Sequence, residues 1–336
     1  MRAGLNRVQR EHVPELRGRG ASYVSWHTLL DPDEWKGSTR MSLLGATALA
    51  EIIGKLAPLT DQGIEVPVFV GLPEERPGWE AADASQVVTA LGAVGAGRLR
   101  LRIEPRLAGH AAALQGLQEA VAQVGRGERC PLVIVGGVDS FHDFETLVWL
   151  RENQRWLEED SRTGFVPGEA AAFMALMTGS MAHRLGLTSM ASVRAVASAR
   201  ETQLNNADAL NLGEGLSLAV GKALAPLERT DDVVENIHCD INGERYRSEE
   251  WGFVALRLGT AFRDATVYHT PVRSCGDVGA ATGALNLVLS AQSWRRGYSK
   301  GPRTLVWGSS DAGLRAAALL EEPTLEHRGG AHPWAR

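Results

Sequence analysis

Three short runs constrain the fold of this chain more than anything else in it. Val66–Leu72 (VPVFVGL), Leu132–Val138 (LVIVGGV) and Thr304–Trp307 (TLVW) are almost continuously apolar over a strand's length. That is the pattern of strands covered on both faces, as in a parallel sheet between helix layers. Phe253–Leu258 (FVALRL) is weaker and reads either as a fourth strand or as the end of a helix. Between these runs lie segments with helical spacing of apolar residues: Met41–Leu56, His110–Val124, Leu216–Leu224 and Ala280–Trp294. Strands alternating with helices predict an α/β architecture with a parallel-rich sheet. The two halves resemble each other loosely, each with an Ala-rich helix after a loop, from Gly109 and from Gly276. The polar stretch Gly179–Ser189 is the expected junction. It gives an N-terminal half over 1–183, a C-terminal half over 184–320 and a tail over 321–336.

Charge narrows the partners. With 35 basic and 40 acidic residues the formal net charge is −5, which argues against a nucleic-acid footprint. Arg2, Arg7, Arg10, Arg17 and Arg19 crowd the start, but Glu11 and Glu15 dilute them. No apolar run reaches the roughly 20 residues of a membrane helix, and the N-terminus lacks a signal-peptide core. Cys130, Cys239 and Cys275 have no CxxC spacing, which fits a reducing, cytoplasmic setting without a zinc or disulfide framework. No membrane, nucleic acid, metal or cofactor is expected.

Several segments, taken in order, carry a more specific signal. They are GRGERCPLVIVGGVDSF (Gly125–Phe141), GFVPGEAAAFMAL (Gly164–Leu176), AHRLG (Ala182–Gly186), SCGDVGAATGALNLVLSAQSWRRG (Ser274–Gly297) and WGSSDAGLRAAALL (Trp307–Leu320). Their order and spacing resemble the ketosynthase branch of the thiolase superfamily, over about Gly37 to Leu320. The resemblance implies a thiolase-like fold of αβαβα layers built from two related halves, usually dimeric through a central strand. It also implies acyl-thioester condensation, with a Cys nucleophile at the start of a buried helix and two His from the second half. Family members open with a buried strand before a segment like Arg2–Gly4 (RAG). Here Met1 directly precedes that segment, so the first N-terminal strand is expected to be missing, through a truncated gene model or an atypical start.

The same resemblance exposes a departure. The nucleophile position falls on His110, or on Ala111; the first His position falls on Asn242, in CDINGERYRSEEW (Cys239–Trp251); the second falls on Asp277. The Cys-His-His set is therefore absent. Imidazole can act as a base but cannot carry a stable acyl group as a thiolate does. An ionised Asp277 would repel a developing oxyanion. Condensation by the family's route is not expected.

Asp240, Glu244 and Arg247, with Ala111, Cys275, Ser309 and Ser310, have two readings. They line a remodelled pocket around His110, Asn242 and Asp277, or they form a buried network holding a former active-site loop. His110, Asp240, Glu244 and Asp277 have no metal-ligand spacing. Cys130 and Cys239 read as small fillers, and Cys275 as a small buried residue whose thiol pKa the nearby carboxylate raises. His142, His183 and His238 read as surface or packing residues. Ser309, Ser310 and Asp311 suit a cap on a helix over Asp311–Leu319, although the resemblance implies a closing loop and final strand there. Glu249 and Glu250 suit a helix start.

Three functions follow as expectations. The first is a ketosynthase-like pseudoenzyme acting as a binding, scaffold or chaperone/adaptor protein. Its partner is a second copy or a related subunit, an acyl-carrier protein, or a client such as a type VI secretion effector. The alternative is an acyl-thioester transferase or hydrolase with His110 as base and Asn242 as oxyanion donor. The third is a sensor that binds an acyl group or another small molecule without turnover.

Overall fold

The computed structural model describes residues 7–11, 22–26, 30–31, 34–56, 65–95, 99–125, 132–159, 161, 163–204, 210–227 and 232–323. The Arg2–Gly4 segment, Cys130 and the tail from 324 onward lie outside them. A small antiparallel ribbon, β1 (Gln9–Glu11) with β2 (Ser22–Val24), precedes α1 (Gly37–Lys55). The first half continues with β3 (Glu65–Leu72), α2 (Ala81–Val94), β4 (Arg100–Leu107), α3 (Ala112–Gly125), β5 (Leu132–Ser140), α4 (Phe144–Glu152) and β6 (Glu169–Met177). After α5 (Gly179–Arg184), the chain enters β7 (Ser192–Arg200), α6 (Glu214–Leu224), β8 (Asn236–His238), α7 (Arg245–Leu258) and α8 (Val272–Cys275). It closes with α9 (Thr282–Arg295), β9 (Arg303–Ser309) and β10 (Leu314–Glu321).

Two four-stranded sheets result, ordered β4-β3-β5-β6 and β8-β9-β10-β7. In the first, β3 runs parallel to β4 and β5, and β6 is antiparallel to β5. In the second, β8 runs parallel to β9, and β10 is antiparallel to both β9 and β7. The first sheet's outer face packs on α1 and α2, around Leu49, Val68, Val87 and Ile134. The second sheet's outer face packs on α6 and α7, around Val220, Val254, Trp251 and Trp307. Between the sheets, α3 and α9 share a core with both, including Phe69, Leu114, Val135, Leu287, Val306 and Ala318. The order is helix, sheet, helix, sheet, helix. This is the five-layered α/β arrangement that the motifs imply.

The internal duplication is visible in detail. A one-turn 3₁₀ segment, Gly109–Ala111, leads into the 14-residue α3, and its twin, Gly279–Ala281, leads into the 14-residue α9. Gly109 has φ +49° and Gly279 φ +48°, a left-handed conformation that favours glycine. The halves also clasp crosswise. A Cβ on Gly137 of β5 would lie 2.4 Å from the carbonyl oxygen of Ala280, and one on Gly308 of β9 would lie 2.6 Å from that of His110. Each half's central strand is thus glycine where it receives the other half's turn.

The apolar runs at 66–72, 132–138 and 304–307 lie within β3, β5 and β9. Phe253–Leu258 is the last part of α7 rather than a strand. Two expectations need correction. Asp311–Leu319 is not a helix: Ser310–Gly313 turns, and Leu314–Glu321 is the strand between β9 and β7. Its alanines suit a helix in isolation, but a strand covered on both faces also accepts small apolar residues. Glu249 and Glu250 do not open a helix. They sit in the second turn of α7, and Glu250 is buried in a fork with Arg315 at 2.5 and 2.7 Å. The change of sheet comes between β6 and β7, across α5.

Candidate functional site

His110 lies in the turn at the head of α3, and Asp277 lies just before the twin turn at the head of α9. The backbone of Asp277 is clamped to the GFVPGE segment: its N–H donates to the Val166 carbonyl at 2.7 Å, and its carbonyl accepts from Gly168 at 2.8 Å. This fixes the carboxylate under the imidazole. His110 Nε2 is 2.7 Å from Asp277 Oδ1, which also accepts the Gly279 N–H at 2.8 Å. Asp277 Oδ2 accepts from the Asn242 amide at 2.6 Å. Asp277 therefore bonds to both His110 and Asn242, and relative exposures are only 6% for His110, 6% for Asn242 and 1% for Asp277.

Further charged side chains close around them. Arg247, on the first turn of α7, donates to Asp240 at 2.6 Å and to the Ser309 carbonyl at 2.8 Å. Its Nη2 faces His110 Nδ1 at 3.4 Å and Asp311 at 3.5 Å. Asp240 also accepts the Ser309 N–H at 2.6 Å. Asn242 Oδ1 accepts the Glu244 N–H at 2.9 Å. Glu244 is held by a fork from Arg155 at 2.6 and 3.0 Å, and Arg155 reaches Asp311 at 2.7 Å. Tyr246 donates its hydroxyl to Asp311 at 2.9 Å. Asp240 and Glu244 are buried and need such pairing, because desolvating an unpaired charge costs several kcal/mol.

The electrostatics follow from that packing. Burial disfavours the charged imidazolium of His110, yet the charge and hydrogen bond of Asp277, together with the Asp240 charge, outweigh burial and Arg247 and raise the His110 pKa. Burial opposes ionisation of Asp277 too, but His110, Arg247 and the Asn242 bond hold it well below the usual carboxylate range. Asp240 is pushed up by burial despite Arg247. Cys275 is half-buried at the end of α8; burial and the Asp277 charge push its thiol up to about 11, and its Sγ contacts the Pro271 carbonyl at 3.2 Å. Cys239 is fully buried, and its thiol is pushed up further by burial.

Of the remaining expected residues, Ala111 is buried beneath the turn. Ser309 has a buried hydroxyl with no partner among the described residues. The Ser310 hydroxyl donates to Glu74. His238 is a packing residue against His269, with ring centroids 5.1 Å apart, while His142 meets the Trp26 ring edge-on at 4.5 Å.

The sequence reading did not include Glu74, Arg76, Asp139 and Arg155 among the site residues. Glu74 accepts the N–H groups of Asp311 at 3.0 Å and Ala312 at 3.2 Å, fixing the closing loop. Arg76 forks onto Asp139 at 2.7 Å and the Ser140 carbonyl at 2.8 Å, with its guanidinium 4.3 Å from the Phe141 ring centre. A signal for Glu74, Arg76 and Asp139 existed. Pro73–Arg76 (PEER) and Asp139 stand at or just beyond the carboxyl ends of parallel strands, where α/β sheets present their sites.

These groups surround a cleft of about 120 Å³, lined by Arg76, His110, Asp139, Phe141, Trp149 and Arg155 among others. Cavities for drug-sized ligands are roughly 300–1,000 Å³, so this one admits only a small group. His110 lines it with both ring nitrogens already engaged. Among the described residues, no cluster of three or more His, Cys, Asp or Glu is placed to hold a metal ion, and no helix is long and apolar enough to cross a membrane.

No family model matches the chain, and no curated protein matches it in sequence. Solved structures do. The chain is similar to the ketosynthase from module 6 of the bacillaene synthase of Bacillus subtilis 168, with a TM-score of 0.73 at 12% identity over 96% of this chain and 68% of that one. A chain from the complex of a type II PKS acyl-carrier protein with its ketosynthase gives 0.71 at 15%, covering 95% and 93%. A chain of the ishigamide ketosynthase/chain length factor gives 0.66 at 18%, covering 96% and 93%. The fold is the thiolase-like fold of ketosynthases.

Proposed function

We propose that this chain is a ketosynthase-fold protein without condensing activity that works by binding another protein. One observation carries the reading: Asp277 takes up hydrogen bonds from both His110 and Asn242, and their remaining polar atoms are met by Arg247 and Glu244. A base needs a free lone pair facing substrate, and an oxyanion donor needs a free N–H. Here Nε2 meets a carboxylate, Nδ1 meets a guanidinium, and the Asn242 amide is held between Asp277 and Glu244. The small cleft supports the same reading, since an acyl chain on a pantetheine arm needs a longer channel.

The partner follows from the exposed edge of β4. Arg100, Arg102, Glu104 and Arg106 alternate along it, and Pro105 lacks an N–H, as edge strands allow. A second copy or a related subunit adds antiparallel there, setting Arg102 opposite Glu104. Among the similar structures, one is named as a ketosynthase/chain length factor and one as a complex with an acyl-carrier protein. A carrier protein and a secreted client are the further partners to assay.

The alternative, an acyl-thioester transferase or hydrolase, is tested in the same experiment. Folded protein is incubated with a panel of acyl thioesters, and intact mass and released thiol are read together. The expected result is unchanged mass and no thiol above buffer. Thiol release that disappears in His110→Ala would overturn the proposal.

A further inference from the structure

Most of the charge that walls the cleft beside His110 is already engaged. Glu74 takes up the Ser310 hydroxyl and the Asp311 and Ala312 N–H groups. Asp311 is held by Arg155, Tyr246 and Arg247. Asp139 accepts from Arg76 at 2.7 Å and from the Ala280 N–H at 2.8 Å. The ring nitrogens of His110 meet Asp277 and Arg247.

Two groups of opposite sign are left over. Glu75 lines the same cleft, is exposed, and has no partner among the described residues. The Arg76 side chain is only 9% exposed, and its guanidinium bonds twice to Asp139 and once to the Ser140 carbonyl. A guanidinium has more N–H donors than those bonds use, and the buried Arg76 Nε–H has no partner among the described residues. Buried polar groups are nearly always paired, so a donor left over in the wall of a cleft points to an acceptor that the chain itself does not supply.

We propose that this cleft binds a small free amino acid, of the size of glycine or alanine, with its carboxylate on the Arg76 guanidinium and its ammonium on the Glu75 carboxylate. Volume, charge and the apolar wall each narrow the class. The cleft of about 120 Å³ has room for roughly four waters at about 30 Å³ each, which suits glycine or alanine and excludes a large side chain. The two unengaged groups are opposite in sign, so a dipolar ligand answers both, whereas a lone anion or cation answers one. Phe141 and Trp149 form the apolar wall, held by the Arg76 and Arg155 guanidiniums at 4.3 and 5.2 Å from their ring centres. That wall accepts a methyl group and offers no further polar partner. The site goes beyond the protein-binding role proposed above and is independent of it, since neither Glu75 nor Arg76 lies on the β4 edge.

The test uses the full-length protein and free amino acids. Binding is read by saturation-transfer NMR and, in the same titration, by the Nε–H resonance of Arg76, assigned by its loss in Arg76→Lys. We expect saturable binding of glycine and alanine that shifts this resonance, and no binding of leucine, which the cleft is too small to admit. Glycinamide lacks the carboxylate and N-acetylglycine the ammonium, so each should bind at least tenfold more weakly than glycine. Glu75→Gln, an exposed change, should weaken glycine binding at least tenfold and leave the weaker binding of acetate unchanged, since acetate needs only Arg76. Glu214→Gln, at the exposed start of α6, is the folded control and binds glycine as the parent does. Absence of saturable glycine and alanine binding to folded protein would overturn the proposal. So would glycinamide binding as tightly as glycine, or glycine binding that Glu75→Gln leaves intact. Thiol release from acyl thioesters with glycine binding intact would overturn the function proposed above and leave this site standing.

Discussion

Two histidines with opposite surroundings give this protein two opposite pH responses. The folded pKa of His110 is raised, so its contribution to stability is complete below the unfolded value near 6.5 and is lost as pH rises through the folded value. His238 is the reverse. Burial and the neighbouring His269 lower it to about 3, and its Nδ1 has no partner among the described residues. As pH falls below about 6.5 the unfolded chain takes up a proton that the folded His238 refuses, so stability falls on that side. Urea midpoints measured from pH 4.5 to 9 should form a dome, with His110→Gln flattening the alkaline limb and His238→Gln the limb below 6.5. An alkaline limb unchanged by His110→Gln would show that the folded imidazole is uncharged. The same residues mark what sequence could convey. Asp240, Asn242, Glu244 and Arg247 stood out because polar side chains cluster in one short segment, whereas Asp277 was reached only through the family resemblance. Arg155 did not, because nothing near it in sequence indicates that it reaches residue 244.

At the scale of elements, the twin turns make a paired test. Both glycines have a left-handed φ, but their surroundings differ. A Cβ on Gly109 would have its nearest contact at 3.5 Å, with Glu74, while one on Gly279 would lie 1.9 Å from Asp139 Oδ2. Gly109→Ala should therefore cost only the backbone strain of about 1–2 kcal/mol. Gly279→Ala should cost more, because it must also displace the Asp139 carboxylate from Arg76 and the Ala280 N–H. Denaturant unfolding of the two variants decides this, and equal losses would contradict it. Strand legibility followed burial in the same way. β3, β5 and β9 are Val- and Leu-rich and announced themselves. β6 and β10 are Ala-rich, and only their sheet neighbours select strand over helix. β4 was silent because its charged residues face solvent at the sheet edge.

For the whole molecule, the middle layer decides how the chain unfolds. Leu114 and Val135 from the first half share one core with Leu287, Val306 and Ala318 from the second. Each half keeps its outer core when the other is removed, but the middle-layer core loses one of its two sides and is laid open to water. Calorimetry should give one transition, with equal calorimetric and van't Hoff enthalpies. Separately expressed 1–183 and 184–320 should each fail to give dispersed amide spectra; a folded half would refute this. The duplication was visible in sequence only as two Ala-rich helices after loops, since what joins the halves is contact between residues far apart in the chain.

The crosswise clasp at Gly137 and Gly308 carries a consequence for how such a chain can change over time. Each half's central strand is shaped to the other half's turn, so a bulkier residue on β5 is felt first at Ala280, and one on β9 at His110. The two halves are thereby constrained to change together. A chimera that exchanges one half with a distant relative would have to bring along both glycine seats and both turns, or the two sheets would lose the contact that sets their spacing.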